Sequence, residues 1–274
     1  MRHFFTHICL FISLFGLYPN ALHTAEPNFT IIIPSYNNER WCIGNLESVA
    51  SQTYPHFSVI YINDCSSDKT GELVDDFVKT RNLQNKFTVI HNKERKGAPL
   101  PNIHAVISTL APDTIVVIVD GDDRLAHPHV LDRVAKEYRN PNVWMTYGNY
   151  TTHPIVHPSC CKKIPSKIAK KGAFRSFQWA SSHLRTHYAK LFQLIKKEDL
   201  FWNGAFYPMA GDVASMFPML EMSAKGHFRF IEDVLYIYNI ANPINESRLN
   251  LKLQYDLDLH IRKQRPYAAL NRLF

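Results

Sequence analysis

Thr114-Ile115-Val116-Val117-Ile118-Val119-Asp120-Gly121-Asp122-Asp123 is the stretch whose reading decides the fold. Thr114 to Val119 form an apolar, β-branched run without alternation, the pattern of a parallel strand covered on both faces. The run ends in three carboxylates within four residues. Asp120 and Asp122 therefore fall at the strand's carboxyl end, where open α/β sheets place their ligands. Carboxylates one residue apart stay ionised together only when a divalent cation, Lys or Arg compensates their charge. Hard oxygen ligands suit magnesium or manganese better than zinc. Taken alone, Asp-Gly-Asp-Asp also reads as a solvated acidic turn; its surroundings decide between the two.

Upstream, Phe29–Pro34 reads as a short strand, and Pro34-Ser35-Tyr36-Asn37-Asn38 as the turn after it. A helix follows from Trp41, with Ile43, Leu46, Val49 and Ala50 on one face. Phe57–Ile62 is a second strand ending at Asn63-Asp64-Cys65-Ser66-Ser67-Asp68, where Ser67 or Asp68 can cap the next helix. Phe87–Ile90 is a third strand, followed by a basic loop, a helix over Asn102–Leu110 and the acidic strand. A helix over Val130–Tyr138 and a strand over Val143–Tyr147 complete the alternation. The fold class is α/β, with right-handed βαβ units and a mostly parallel sheet flanked by helices.

Beyond Gly148 the regularity stops. Residues 151–180 read as a long loop or lid, Ser181–Lys197 as an amphipathic helix, and Asp212–Ser223 as a helix carrying Pro218 inside it. Phe228–Ile231 and Leu235–Tyr238 read as two short strands. Leu249, Leu253, Leu257 and Ile261 mark a terminal helix.

At 274 residues and 46% hydrophobic content the chain can bury one sizeable core, and it is neither disordered nor fibrous. The net charge of +7 favours a phosphorylated ligand or an anionic membrane surface. No nucleic-acid motif accompanies the charge, so no nucleic-acid partner is expected. Arg2, the apolar run Ile8–Tyr18 and the small residues up to Ala25 read as a cleaved signal peptide or a short membrane anchor over 1–25. Asn28, Asn149 and Asn245 lie in sequons compatible with a secretory lumen, and the N-terminal segment leaves a membrane-associated location open. Cys42, Cys65, Cys160 and Cys161 make no disulfide framework. His153, His157, Cys160 and Cys161 have the residue types of a zinc site, but adjacent cysteines crowd each other as ligands, and a surface loop with or without a disulfide is the preferred reading.

Four motifs in order, Ile31-Ile32-Ile33-Pro34-Ser35-Tyr36-Asn37-Asn38-Glu39, Ser48-Val49-Ala50-Ser51-Gln52-Thr53-Tyr54, Ile62-Asn63-Asp64-Cys65-Ser66-Ser67-Asp68 and Val119-Asp120-Gly121-Asp122-Asp123, closely resemble the inverting glycosyltransferases of family 2, which have the GT-A fold. The likeness is strong over about residues 29–150 and looser over 180–240. It implies a nucleotide-sugar-binding half at 26–150, an acceptor-side half with a lid loop at 151–245, and a helical extension at 246–274. It further implies a nucleotide-diphosphate-sugar donor, with Pro34 and Tyr36 against the base and Glu39 near the ribose. Asp64 would accept from the base, which favours UDP. Arg95 or Lys96 would meet the diphosphate beside Asn102. Asp120 and Gly121 would lie against the ribose or sugar, and Asp122 would ligate magnesium or manganese in a DXD motif, with Asp120 and His183 as further candidate ligands.

An inverting transfer also needs a base to take the proton of an acceptor hydroxyl on a glycan, lipid or protein. Where family members carry an acidic pair at a helix start, this chain has Gly211-Asp212. Asp212 is the expected base, and an N-terminal helix cap is its plainer reading. Glu232 and Asp233 are the reserve pair. Trp179 and Trp202 could stack on an acceptor sugar, although buried packing is the commoner use of tryptophan. The alternatives are a silent nucleotide or sugar binder of the same fold, favoured by the departure at Gly211, and a nucleotidyltransferase, disfavoured because the loop after the first strand is not Gly-rich.

Overall fold

The computed structural model describes residues 26–245 and 250–274. The expected signal or anchor at 1–25 lies outside them, as does Leu249. The first half alternates as the sequence implies: β1 (Phe29–Ser35), α1 (Cys42–Ala50), β2 (Phe57–Asn63), α2 (Thr70–Thr80), β3 (Phe87–His91), α3 (Pro99–Ile107) and β4 (Ile115–Ile118). Then come a two-residue β5 (Arg124–Leu125), α4 (Val130–Tyr138) and β6 (Met145–His153). The second half holds α5 (Ser166–Lys170), β7 (Arg185–Tyr188), α6 (Ala189–Gln193), the hairpin pair β8 (Phe201–Trp202) and β9 (Ala205–Phe206), α7 (Gly211–Met222), β10 (Phe228–Asn239) and α8 (Leu251–Lys263).

Eight strands form one sheet in the order β3-β2-β1-β4-β7-β6-β10-β5. The pairs β3–β2, β2–β1, β1–β4 and β6–β10 are parallel, while β7 runs antiparallel between β4 and β6, and β5 antiparallel to β10. Successive side chains divide between two cores, as pleating requires. Ile31, Ile33 and Val117 face Leu46 of α1, Val74 of α2 and Val130 of α4. Ile32, Val116 and Ile118 face Ile107 of α3 together with Leu191, Met216, Leu220 and Leu257 from α6, α7 and α8. The central strands are thus apolar on both faces, which is why their sequence shows no alternation.

Three expectations are corrected. The stretch Ser181–Lys197 is not one helix: Arg185–Tyr188 fills the slot between β4 and β6, and only Ala189–Gln193 is helical. Burial decides this, because Thr186 sits 1% exposed with its hydroxyl bonded to those of Tyr138 and Thr146. The two short strands near the C-terminus are one strand, β10, broken in register between Ile231 and Tyr236. Bulges of this kind insert unpaired residues without ending the ladder. Finally, β6 runs on to His153, so the irregular segment starts later than residue 151 and contains α5.

A buried pair closes the fold behind α7. Arg175 Nε donates to Glu221 at 2.6 Å and its Nη1 to the Ile261 carbonyl at 2.6 Å, which ties α7 to α8. No helix among the described residues is long and apolar enough to cross a membrane.

Candidate active site

The acidic turn after β4 is held from three sides. Asn45 of α1 donates its side-chain amide to the carbonyls of Asp120 at 3.0 Å and Asp123 at 2.8 Å. Gly121 N–H donates to the Pro34 carbonyl at 3.1 Å. A Cβ on Gly121 would lie 2.6 Å from the Ser35 side chain and 2.9 Å from Asn38 Nδ2, so only glycine lets the turn lie this close to β1. From below, the Tyr236 hydroxyl accepts from Asp120 N–H at 3.0 Å and donates to Asp123 Oδ2 at 2.7 Å. Asp123 Oδ1 accepts from Asn239 N–H at 2.6 Å. Asp123 is 1% exposed, and its oxygens are spent on the scaffold.

Asp120 and Asp122 differ from it and from each other. Asp122 Oδ2 accepts from Asn242 Nδ2 at 2.7 Å, and burial pushes its carboxyl up to about 6 against that bond. Asp120 faces the other way. Its Oδ2 lies 3.5 Å from Arg185 Nη2, while Arg185 Nη1 lies 3.4 Å from Asp212 Oδ2. One buried guanidinium on β7 therefore joins the acidic turn to the first turn of α7. Burial raises the Asp120 carboxyl, Arg185 opposes the rise and Asp212 adds to it.

His183 precedes β7, and its Nδ1 stands 4.0 Å from Asp120 Oδ2. Burial, then Arg185, holds its imidazole well below the ordinary range, so the ring is neutral and the contact is no ion pair. The ring stacks on Tyr236 at 4.4 Å, and its Nδ1 is buried without a hydrogen-bond partner. An unpaired imidazole nitrogen beside a carboxylate that only one long guanidinium contact compensates fits a divalent cation. Among the described residues, the one group of three such ligands within 4.8 Å of one another is Asp120, Asp123 and His183. Asp123 is already bonded twice, whereas His183 Nδ1 is unpartnered and Asp120 Oδ2 is met only by Arg185 at 3.5 Å, with Asp122 across the turn. His153, His157, Cys160 and Cys161 form no such group among the described residues, where Cys42, Cys65, Cys160 and Cys161 are all free thiols.

The residues expected to meet the nucleoside lie at the β1, β2 and β3 edge. Asp64 is 4% exposed, and its carboxylate accepts from Asn92 Nδ2 at 2.7 Å, Lys96 N–H at 2.9 Å and Gly97 N–H at 3.2 Å. It thereby shapes the basic loop carrying Arg95 and Lys96. Asn92 also donates to Asn102 Oδ1 at 2.8 Å, which joins α3 to this network. The Arg95 guanidinium stacks 3.7 Å over the Tyr36 ring, covering one face of it. Glu39 accepts from Lys69 N–H at 3.0 Å and is engaged at the start of α2. Pro34 is buried within β1.

The reserve acids are elsewhere. Glu232 and Asp233 are exposed in the bulge of β10, and Asp233 pairs with Arg133 of α4 at 2.6 Å. Trp179 packs edge-on against Phe217 at 5.7 Å, and Trp202 lies in the β8–β9 hairpin. Sequence reasoning passed over Asn45, Arg185, Tyr236 and Asn242. Each does its work through a contact with a residue far along the chain, which no local pattern reveals.

The mostly parallel sheet thus carries an acidic turn at its carboxyl edge, where open α/β folds bind their ligands. The comparisons name the chain's family. Residues 30–197 match the model of glycosyl transferase family 2, and the chain belongs to that family of transferases. It is 23% identical over 228 residues to the glycosyltransferase GlyG of Streptococcus pneumoniae, covering 76% of this chain and 69% of that protein. It is 28% identical over 99 residues to TuaG of Bacillus subtilis, a putative teichuronic acid biosynthesis glycosyltransferase, covering 36% of this chain and 37% of TuaG. It thus spans about two thirds of the first of these relatives and under two fifths of the second. Staphylococcus aureus TarS in complex with UDP superposes with a TM-score of 0.58 at 18% identity, covering 86% of this chain and 64% of that one. The mannosyltransferase PcManGT of Pyrobaculum calidifontis, in complex with GDP-Man and Mn2+, superposes with a TM-score of 0.57 at 20% identity, covering 89% and 67%. These likenesses give the fold, GT-A.

Proposed function

We propose that this chain transfers a single sugar, with inversion, from a nucleotide-diphosphate-sugar to an acceptor hydroxyl on a glycan, lipid or protein. The observation that carries the reading is the Arg185 bridge: it sets Asp212, at the start of α7, beside the carboxyl edge where Asp120 and Asp122 await the donor. In this reading Asp212 takes the proton of the acceptor hydroxyl as its oxygen attacks the anomeric carbon, and the bond to the nucleoside diphosphate breaks with its electron pair leaving on the phosphate oxygen. Arg185 holds the Asp212 carboxylate in position from behind.

Tyr36 walls the base together with Arg95, which either closes on the free face of the base or yields its place to it. Asp64 acts chiefly by holding Lys96 and Gly97 where the loop can meet the diphosphate. Asp122, Asp120 and His183 would hold magnesium or manganese, which when bound neutralises charge developing on the departing diphosphate. UDP is the favoured nucleoside diphosphate: TarS structures hold UDP and UDP-GlcNAc in this fold, whereas PcManGT holds GDP-Man with Mn2+.

Asp212→Asn tests the base. It keeps the shape of the side chain and removes its basicity, so donor binding measured by calorimetry should be unchanged while acceptor-dependent transfer falls at least about 100-fold. Retained transfer would remove Asp212 from the mechanism.

A further inference from the structure

A cavity of about 140 Å³ borders Asp122, its lining including Arg40, Trp41, Gly44, Arg124, His153 and Asn239. Its walls come from the start of α1 and from β5, β6 and β10, the opposite end of the sheet from the β3 and β2 edge that carries Asp64 and Arg95. Neither Arg40 nor Arg124 is ion-paired with a carboxylate among the described residues, although seven other arginines or lysines are. Arg40 instead lies 4.6 Å over the Trp41 ring, and Arg124 runs past Gly44, where a Cβ would stand 3.5 Å from its Cδ. The first turn of α1, to which Gly44 belongs, holds no acidic residue and has no side-chain cap.

An independent sign comes from Asn239. It is 4% exposed, its Oδ1 accepts from Ala241 N–H at 2.9 Å, and its Nδ2 is buried with no hydrogen-bond partner. A buried amide donor left unpaired is costly, and an acceptor oxygen in the cavity would recover that cost. Two guanidinium groups, an imidazole, an amide donor and a helix N-terminus share this wall. The one carboxylate on it, Asp122, is the residue assigned to the cation. The volume is too small for a sugar nucleotide, since sites for ligands of that size run about 300–1,000 Å³.

We propose that this cavity is an oxyanion subsite for a phosphate-class group, separate from the donor's diphosphate. The inference rests on the donor reading above, which puts the nucleotide at the β3 and β2 edge. Arg40 and Arg124 recognise the charge, and Asn239 supplies a directional donor.

Calorimetric titration of the full chain with inorganic phosphate, with and without saturating UDP and magnesium, tests it. Phosphate should bind with similar affinity in both conditions. Arg40→Gln and Arg124→Gln should each weaken phosphate about tenfold, the loss of one charge-assisted contact, and leave UDP binding unchanged. Arg40 is exposed, so its variant reports even if Arg124→Gln fails to fold. Competition between UDP and phosphate would return the cavity to the donor and overturn the proposal, as would the absence of saturable phosphate binding or full affinity in Arg40→Gln. Failure of UDP itself to bind, with phosphate still binding, would instead strike the donor reading.

Discussion

Tyr236→Phe removes one oxygen from beneath the acidic turn, and the structure sets the cost. The ring stays, stacked on His183, so no apolar burial is lost. What goes is a donor to the Asp123 carboxylate at 2.7 Å and an acceptor for Asp120 N–H at 3.0 Å. Burial holds the Tyr236 hydroxyl well above its ordinary range, so it is a neutral donor throughout the working pH range. Burial, then Asp122 and Asp120, holds the Asp123 carboxyl well above the ordinary carboxylate range, so its bond is valued as a neutral one at about 0.5–1.5 kcal/mol, and an orphaned buried N–H costs about 1–3 kcal/mol. Because a shared turn can relax, the sum is taken at about 3 kcal/mol, a large part of the roughly 5–15 kcal/mol that holds a domain folded. Urea unfolding followed by fluorescence should show the midpoint falling with the slope unchanged, and the melting temperature should drop by roughly 6–12 °C. A loss under about 0.5 kcal/mol, the range of an ordinary surface change, would refute the account of how the turn is held.

Two further outcomes follow from the same geometry. Gly121→Ala drives a methyl group into Ser35 and should cost about 1–3 kcal/mol, with loss of metal-dependent nucleotide binding on calorimetry because the turn must shift. His187 is buried behind the site, with Nδ1 against the Tyr188 carbonyl at 3.0 Å, and burial lowers its imidazole to about 4. A depressed histidine contributes stability that is complete above its unfolded value near 6.5 and is lost as pH falls toward 4, by up to about 1.4 kcal/mol per pH unit. Denaturant titrations between pH 7 and pH 4 should therefore show a shallower decline for His187→Gln than for the parent chain, and parallel curves would contradict the assignment.

The apolar strands of the first half were legible because β1 and β4 are buried on both faces and carry β-branched runs, with the largely apolar β2 beside them, between helices of clear period. The acidic turn was legible because paired carboxylates at a strand end demand compensation. The second half was harder for a physical reason. β7 has four residues, enough to bridge β4 and β6 but too few to display a period, and its burial comes wholly from neighbours distant in sequence. The site suffered likewise. Asp212 could be singled out by its place at a helix start, but the guanidinium that joins it to Asp120 belongs to that hidden strand. Asp64 and Glu39 were singled out as ligand groups, yet both carboxylates are also engaged in holding loops, a role that backbone N–H partners reveal and sequence does not.

The most direct test of the central claim is calorimetric titration of the purified chain with UDP, GDP and CDP, each with manganese and with chelator, beside the Asp122→Ala variant. The account predicts UDP-selective binding that requires the metal and disappears in Asp122→Ala. A folded chain that binds none of the three, or that binds UDP equally well in chelator, would contradict it.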